Sequence, residues 1–99
     1  MPITPTIQQS SKVLSYVQVA AGGADAAYSV VPPDGTEYAE VAVSAQAIRW
    51  RADGIAPTAA IGMPVPVGQT VVFALQQLSQ LKIIAQVAGA VLDITFYGR

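Results

Sequence analysis

Cysteine and histidine are absent from the 99-residue sequence, and charged side chains make up only 11% of it. Without cysteine there is no disulfide and no thiolate chemistry, and the redox compartment is left open. Without histidine the commonest general base and metal ligand is missing. A Ser-His-Asp or Cys-His arrangement is therefore impossible, and a zinc site would have to use carboxylates alone. Among the acids Glu37 and Glu40 lie close together in sequence and flank a strand start. Asp34 and Asp53 each precede a glycine and supply one carboxylate, without a loop of spaced ligands. A domain of this size has no room for a sugar-cleaving cleft beside its core. Gly22 and Gly23 lack the helix and lysine of a phosphate-binding loop. These absences predict a protein that is not an enzyme and uses no cofactor or metal. A net charge of -1 gives no electrostatic reason to expect a nucleic-acid partner.

Hydrophobic residues make up 53% of the chain, and its charge content is less than half the ~25% typical of soluble domains. A small monomer needs charge on its surface for solubility. The composition therefore points to an oligomer or a subunit of a larger assembly, the alternative being a monomer with an Ala, Ser, Thr and Gln surface. Residues 55–81 contain no charge. Pro57, Gly62, Pro64, Pro66, Gly68 and four glutamines interrupt that run, so it does not read as a membrane span. The first residues carry no basic region ahead of an apolar stretch, which places the protein in the cytoplasm of the cell that makes it.

Residues 1–11 contain two prolines and no alternation, and read as an extended N-terminal arm. Residues 12–99 read as one domain. Strands are expected at 12–20, 26–31, 37–43, 48–51, 69–75, 82–87 and 91–97 from β-branched and aromatic content, with a short one at 58–61. In the first, Val13, Val17 and Val19 share one face and Leu14 and Tyr16 the other. Pro33, Asp34 and Gly35 have the residue types of a tight turn. Leu75, Leu78 and Leu81 suggest one helical turn at 76–80. About eight short antiparallel strands separated by turn signals imply an all-β fold, a small β-sandwich or jelly-roll. The core is expected to hold Val41, Val43, Ile48, Trp50, Phe73, Leu92, Ile94 and Phe96.

Residues 47–68 organise the chain. Arg49 and Arg51 flank the only tryptophan, Trp50, and a turn at Asp53-Gly54 follows. Basic and aromatic residues interleaved in this way can bind single-stranded nucleic acid. Register supplies a simpler reading. If strands 37–43 and 48–51 form a hairpin, setting Val43 opposite Ile48 and Val41 opposite Trp50 makes one face wholly apolar. Glu40 then faces Arg51 on the other. Trp50 becomes a core residue and Arg51 an ion-pair partner of Glu40. Pro64 and Pro66, two residues apart, mark an edge strand.

The run Ile48-Arg49-Trp50-Arg51-Ala52-Asp53-Gly54, with Ala56-Pro57-Thr58 and Gly62-Met63-Pro64 after it, resembles a pattern in small virion proteins of tailed bacteriophages. Leu81-Lys82-Ile83-Ile84 and Leu92-Asp93-Ile94-Thr95-Phe96-Tyr97-Gly98 are similar to the ends of such proteins. The resemblance covers roughly the second half of the chain. It implies a β-sandwich or jelly-roll, no enzyme activity, and a location in the virion after assembly in the host cytoplasm. Within that family a head decoration or cement protein suits a small, charge-poor, arm-bearing domain. Its partners would be the major capsid protein or other virion proteins, and copies of itself in a homo-oligomer. Candidate contacts are Pro2, Ile3, Pro5 and Ile7 of the arm, and Ile55, Pro57, Met63, Pro64 and Pro66 of the uncharged run. A tail, neck or fibre-base subunit is the alternative in the same class. A carbohydrate-binding module, with Trp50 or a tyrosine as stacking platform, is the alternative from another class.

Overall fold

A computed structural model describes residues 12–20 and 27–99. Pro2, Ile3, Pro5 and Ile7, with the rest of the expected arm, and Gly22 and Gly23 lie outside the described residues. Among the described residues eight strands occur, in the order β1 (Lys12–Ala20), β2 (Tyr28–Ser29), β3 (Thr36–Ser44), β4 (Ile48–Arg51), β5 (Met63–Val65), β6 (Thr70–Ala74), β7 (Lys82–Ala85) and β8 (Val91–Gly98). One short helix, α1 (Leu75–Leu78), separates β6 from β7. Sheet 1 has the order β1-β8-β3-β6 and sheet 2 the order β2-β7-β4-β5, and every pairing is antiparallel. The chain changes sheet at every strand connection except β4 to β5. This nesting of first with last is the strand order of a jelly-roll, the all-β sandwich expected from the turn spacing.

The core is the inward half of each alternating strand. Ala39, Val41 and Val43 of β3, Phe73 of β6, and Leu92, Ile94 and Phe96 of β8 are buried from sheet 1. Ile48, Val65, Ile83 and Ala85 meet them from sheet 2. Each large aliphatic or aromatic side chain buried this way contributes about 1.5–3 kcal/mol. Leu78 and Leu81 close one end, while Leu75 is 44% exposed because it begins the helix and does not continue the strand. Trp50 is half-buried. Its ring meets Phe73 of the other sheet edge-on, with centroids 4.9 Å apart.

The expected hairpin between residues 37–43 and 48–51 does not form. β3 and β4 lie in different sheets, so Val43 and Ile48 share the core across the sandwich and not along one ladder. The connection turns sharply at Ala45, whose φ of 71° is the one positive value outside glycine among the described residues. Gln46 N–H donates to the Ser44 carbonyl at 2.8 Å, making a three-residue γ-turn around it. The expected Glu40–Arg51 pair is lost with the hairpin. Glu40 accepts from the Tyr97 hydroxyl at 2.7 Å, and Arg51 pairs with Asp53.

β1 also departs from simple alternation. Its register with β8 shifts between Val13 and Ser15, a bulge that moves Leu14 onto the same side as Val17 and Val19. These three pack on the core, while Val13 and Tyr16 are 59% and 58% exposed. Residues 58–61 form a turn, not a strand: Thr58 and Ile61 exchange N–H···O bonds of 2.9 and 3.3 Å. The turn expected at Pro33 closes with Thr36 N–H on the Pro33 carbonyl at 3.2 Å, and Gly35 supplies the positive φ of 87°.

Candidate functional site

The β4–β5 connection, residues 52–62, is the longest between successive described strands in one sheet, and long ordered loops in small domains are where function concentrates. Side chains hold it in place. Arg49 projects from the outer face of sheet 2, opposite Ile84 of β7. Its Nε donates to the Ala59 carbonyl at 3.1 Å and its Nη1 to the Gly62 carbonyl at 2.8 Å. The loop is thereby folded back over the sheet. Beneath it Ile84 is 3% exposed although it lies outside the main core cluster, and Pro57 is buried as well. Gly62 makes the crossing possible. It has φ of 140°, and a Cβ there would meet Pro57 Cβ at 3.0 Å, Arg49 Cβ at 3.1 Å and the Trp50 carbonyl at 3.2 Å.

The near end of the loop has its own lock. Arg51 Nε donates to Asp53 Oδ1 at 3.1 Å, and a second N–H of the guanidinium reaches Oδ2. Asp53 Oδ1 also accepts the Ile55 N–H at 3.2 Å. The hydrogen bond from Arg51 holds the Asp53 carboxyl below the usual carboxylate range, and the Ile55 N–H acts in the same direction. Asp53 in turn raises the Arg51 pKa. At the far end Thr58 Oγ1 accepts from Ala60 and Ile61 N–H at 3.2 and 2.9 Å. Trp50, Arg51, Asp53, Ile61 and Met63 line an open groove of about 440 Å³ beside this loop.

The polar side chains of the segment are thus turned onto their own backbone or onto each other. Its apolar side chains take the opposite course: Ile55, Ile61 and Met63 are 55%, 59% and 56% exposed. The charge-free sequence continues from there through β5, β6 and α1. β5 and β6 are the edge strands of sheets 2 and 1, joined by the short turn 66–69, so they lie on the same flank. Along it Pro64 and Pro66 are exposed, and Val67 and Val72 are 51% and 57% exposed. The candidate site is this loop and flank together, a surface apolar at several points, with Arg51 and Asp53 paired to each other at its near end.

Of the expected contact residues, Ile55, Met63, Pro64 and Pro66 lie on this surface. Pro57 does not: it is buried under its own loop and offers nothing to a partner. Of the expected core residues, all are buried except Trp50, which sits at the core margin with part of its surface in the groove. Sequence reasoning missed the Arg49 clamp and the burial of Pro57. The Arg51–Asp53 pair, two residues apart beside a glycine, carried a readable signal. Two other carboxylates are engaged on sheet 1: Asp93 accepts from Tyr16 Oη and Gln18 Nε2 at 2.6 and 2.9 Å, and Glu40 from Tyr97 Oη. Among the described residues no group of three or more acids is placed to hold a metal ion, and no helix is long and apolar enough to cross a membrane. Comparison with protein-family models, with curated proteins and with solved structures returned no match.

Proposed function

We propose that the protein is a non-enzymatic structural protein of a tailed-phage virion that binds and stabilises the capsid surface, as a decoration or cement protein. One observation carries the reading. The Arg49–Met63 segment uses its charged side chains to build a fixed loop and exposes Ile55, Ile61 and Met63 on the outside. Displaying apolar side chains on an ordered loop is unfavourable for a protein that stays solvated, and contiguous exposed apolar surface marks a contact with another chain. The same segment bears the resemblance to phage virion proteins. The jelly-roll order and the charge-free flank fit a domain that lies against neighbouring subunits.

Binding would act by removing the loop and flank from water across joints between capsid subunits. A standard interface buries on the order of 1,600 Å² in total, and many copies on one shell add avidity. Inward packing of Trp50 against Phe73 argues against its use as a sugar-stacking platform. Mixing the purified chain with undecorated capsids at micromolar concentration tests the proposal. Co-sedimentation that is lost on Ile61→Asp is the expected result. Absence of co-sedimentation overturns it. Labelled protein located at the tail or neck by electron microscopy would assign the same surface to the alternative, a tail, neck or fibre-base subunit.

A further inference from the structure

The two edge strands of the charge-free flank differ in one atom that decides what each can pair with. On sheet 2, Gln86 N–H donates to the Ala47 carbonyl at 3.0 Å. Antiparallel ladders alternate, so Arg49 directs its backbone groups toward Ile84 of β7, and Ile48 and Trp50 direct theirs toward Val65 and Met63 of β5. Pro64, opposite Arg49, then occupies the position whose N–H would point away from the sheet. Proline has no N–H, so the outer edge of β5 cannot donate there.

On sheet 1 the corresponding edge is open. Val43 N–H donates to the Gln69 carbonyl at 3.0 Å. With Val41 opposite Val71 and Ala39 opposite Phe73, the same alternation points the backbone groups of Val71 and Phe73 at β3. Those of Thr70, Val72 and Ala74 point outward. Ala74 N–H is capped by Gln77 Oε1 at 3.0 Å. Thr70 and Val72 keep outward amides that no described residue accepts. The strand has no proline, no charge and no register shift, and all three outward positions are exposed. Among the described residues it has none of the prolines, charges or bulges that protect an edge.

We propose that β6 pairs with β6 of a second copy of this chain, antiparallel across a two-fold axis at Val72, joining two copies of sheet 1 into one continuous sheet. The sequence suits its own reverse. Val72 meets Val72 of the other copy and exchanges two N–H···O bonds with it. Thr70 N–H reaches the Ala74 carbonyl, which leaves the Gln77 cap in place. Because residues 55–81 carry no charge, two copies of the flank meet without like-charge repulsion. Self-pairing brings Val72, 57% exposed, against an identical apolar side chain on the two-fold axis. This isologous arrangement closes on itself, while Pro64 prevents growth from the neighbouring edge. The inference does not rest on capsid binding, because it concerns the isolated protein.

Sedimentation velocity of the full chain across about 1–500 µM tests it, a range that covers the micromolar affinity of a small interface. The expected result is a reversible monomer–dimer equilibrium. Val72→Pro removes only an outward N–H and no bond to β3, so it should give monomer throughout with unchanged Trp50 fluorescence. Val72→Lys, which sets two ammonium groups face to face, decides the matter if the proline variant does not fold; it should weaken the dimer at least tenfold. A wild-type chain that is monomeric over the whole range overturns the proposal. So does a dimer that survives the folded variant, or one that is abolished by Ile61→Asp and not by Val72→Lys.

Discussion

In sheet 1 the strands β1, β3 and β8 run for nine, nine and eight residues, whereas no strand of sheet 2 exceeds four. Long ladders give sheet 1 its shape through backbone bonds alone. Its outer side chains add cross-strand pairs: Tyr16 and Gln18 on Asp93, Tyr97 on Glu40, and the Tyr38 and Tyr97 rings stacked at 4.8 Å. Sheet 2 has too few ladder positions to define its own loops. A side chain, Arg49, and two locks at Asp53 and Thr58 supply what the backbone does not. One half of the sandwich is therefore a frame, and the other a mount for a displayed loop.

That contrast can be broken from the frame side first. Ile94 lies at the centre of sheet 1 and is fully buried. Ile94→Ala should cost ~2–5 kcal/mol, as large-to-small core truncations do, and should lower the denaturant midpoint for every probe together. The mount should behave differently. Arg49→Met keeps the aliphatic cover over Ile84 but removes two charge-assisted bonds to carbonyls, for a loss of ~1–3 kcal/mol. Hydrogen exchange should accelerate in residues 52–62 well before it does in β3 and β8. Uniform acceleration across both sheets would mean that the loop is not a separate unit.

The smallest effects belong to the exposed acids. Hydrogen bonds from Arg51 and from Tyr16 hold Asp53 and Asp93 below the ordinary carboxylate value of 3.8. Their folded values lie below their unfolded ones, so the stabilisation is complete above about pH 4 and is lost as pH falls through the lower folded values. Tyr16 and Tyr97 titrate in the other direction. Bonds to Asp93 and Glu40 raise them above 10.0, so their contribution is present below pH 10 and lost above it. Thermal midpoints should be flat between these limits and decline slightly outside them. Asp53→Asn should blunt the acid limb alone, with the change confined to the sheet 2 loop.

Alternation revealed which side of each strand faces the core, and that was enough for Val41, Val43, Ile48, Phe73, Leu92, Ile94 and Phe96. It did not reveal partners. A wholly apolar face between Val43 and Ile48 is equally well made by two strands of one hairpin or by two sheets packed face to face. The hairpin reading assumed the first, and the γ-turn at Ala45 enforces the second. No residue-type signal marks that turn, since alanine is an unfavourable choice for positive φ. Likewise the Arg49 clamp ends on the carbonyls of Ala59 and Gly62, which every residue possesses. Asp53, by contrast, is a side-chain partner within reach of Arg51, and so that half of the site was open to reading. Pro64 was legible as an edge residue because a missing N–H constrains its place in a sheet.

The nesting of strands has a consequence for how the chain acquires its structure. Lys12 pairs with Gly98 and Ala20 with Val91, so β1 has no partner among the described strands until β8, which follows all the others in sequence, is complete. β8 is an inner strand, bonded to β1 on one side and β3 on the other. Closure of sheet 1 therefore waits for β8, and until it forms β1 and β3 present unpaired edges to the cell. Such long-range closure belongs to the slow end of single-domain folding, milliseconds to seconds. Any truncation that removes β8 removes the seam between β1 and β3, and leaves β1 unpaired beside a two-stranded β3–β6 ribbon in place of a slightly shorter sheet.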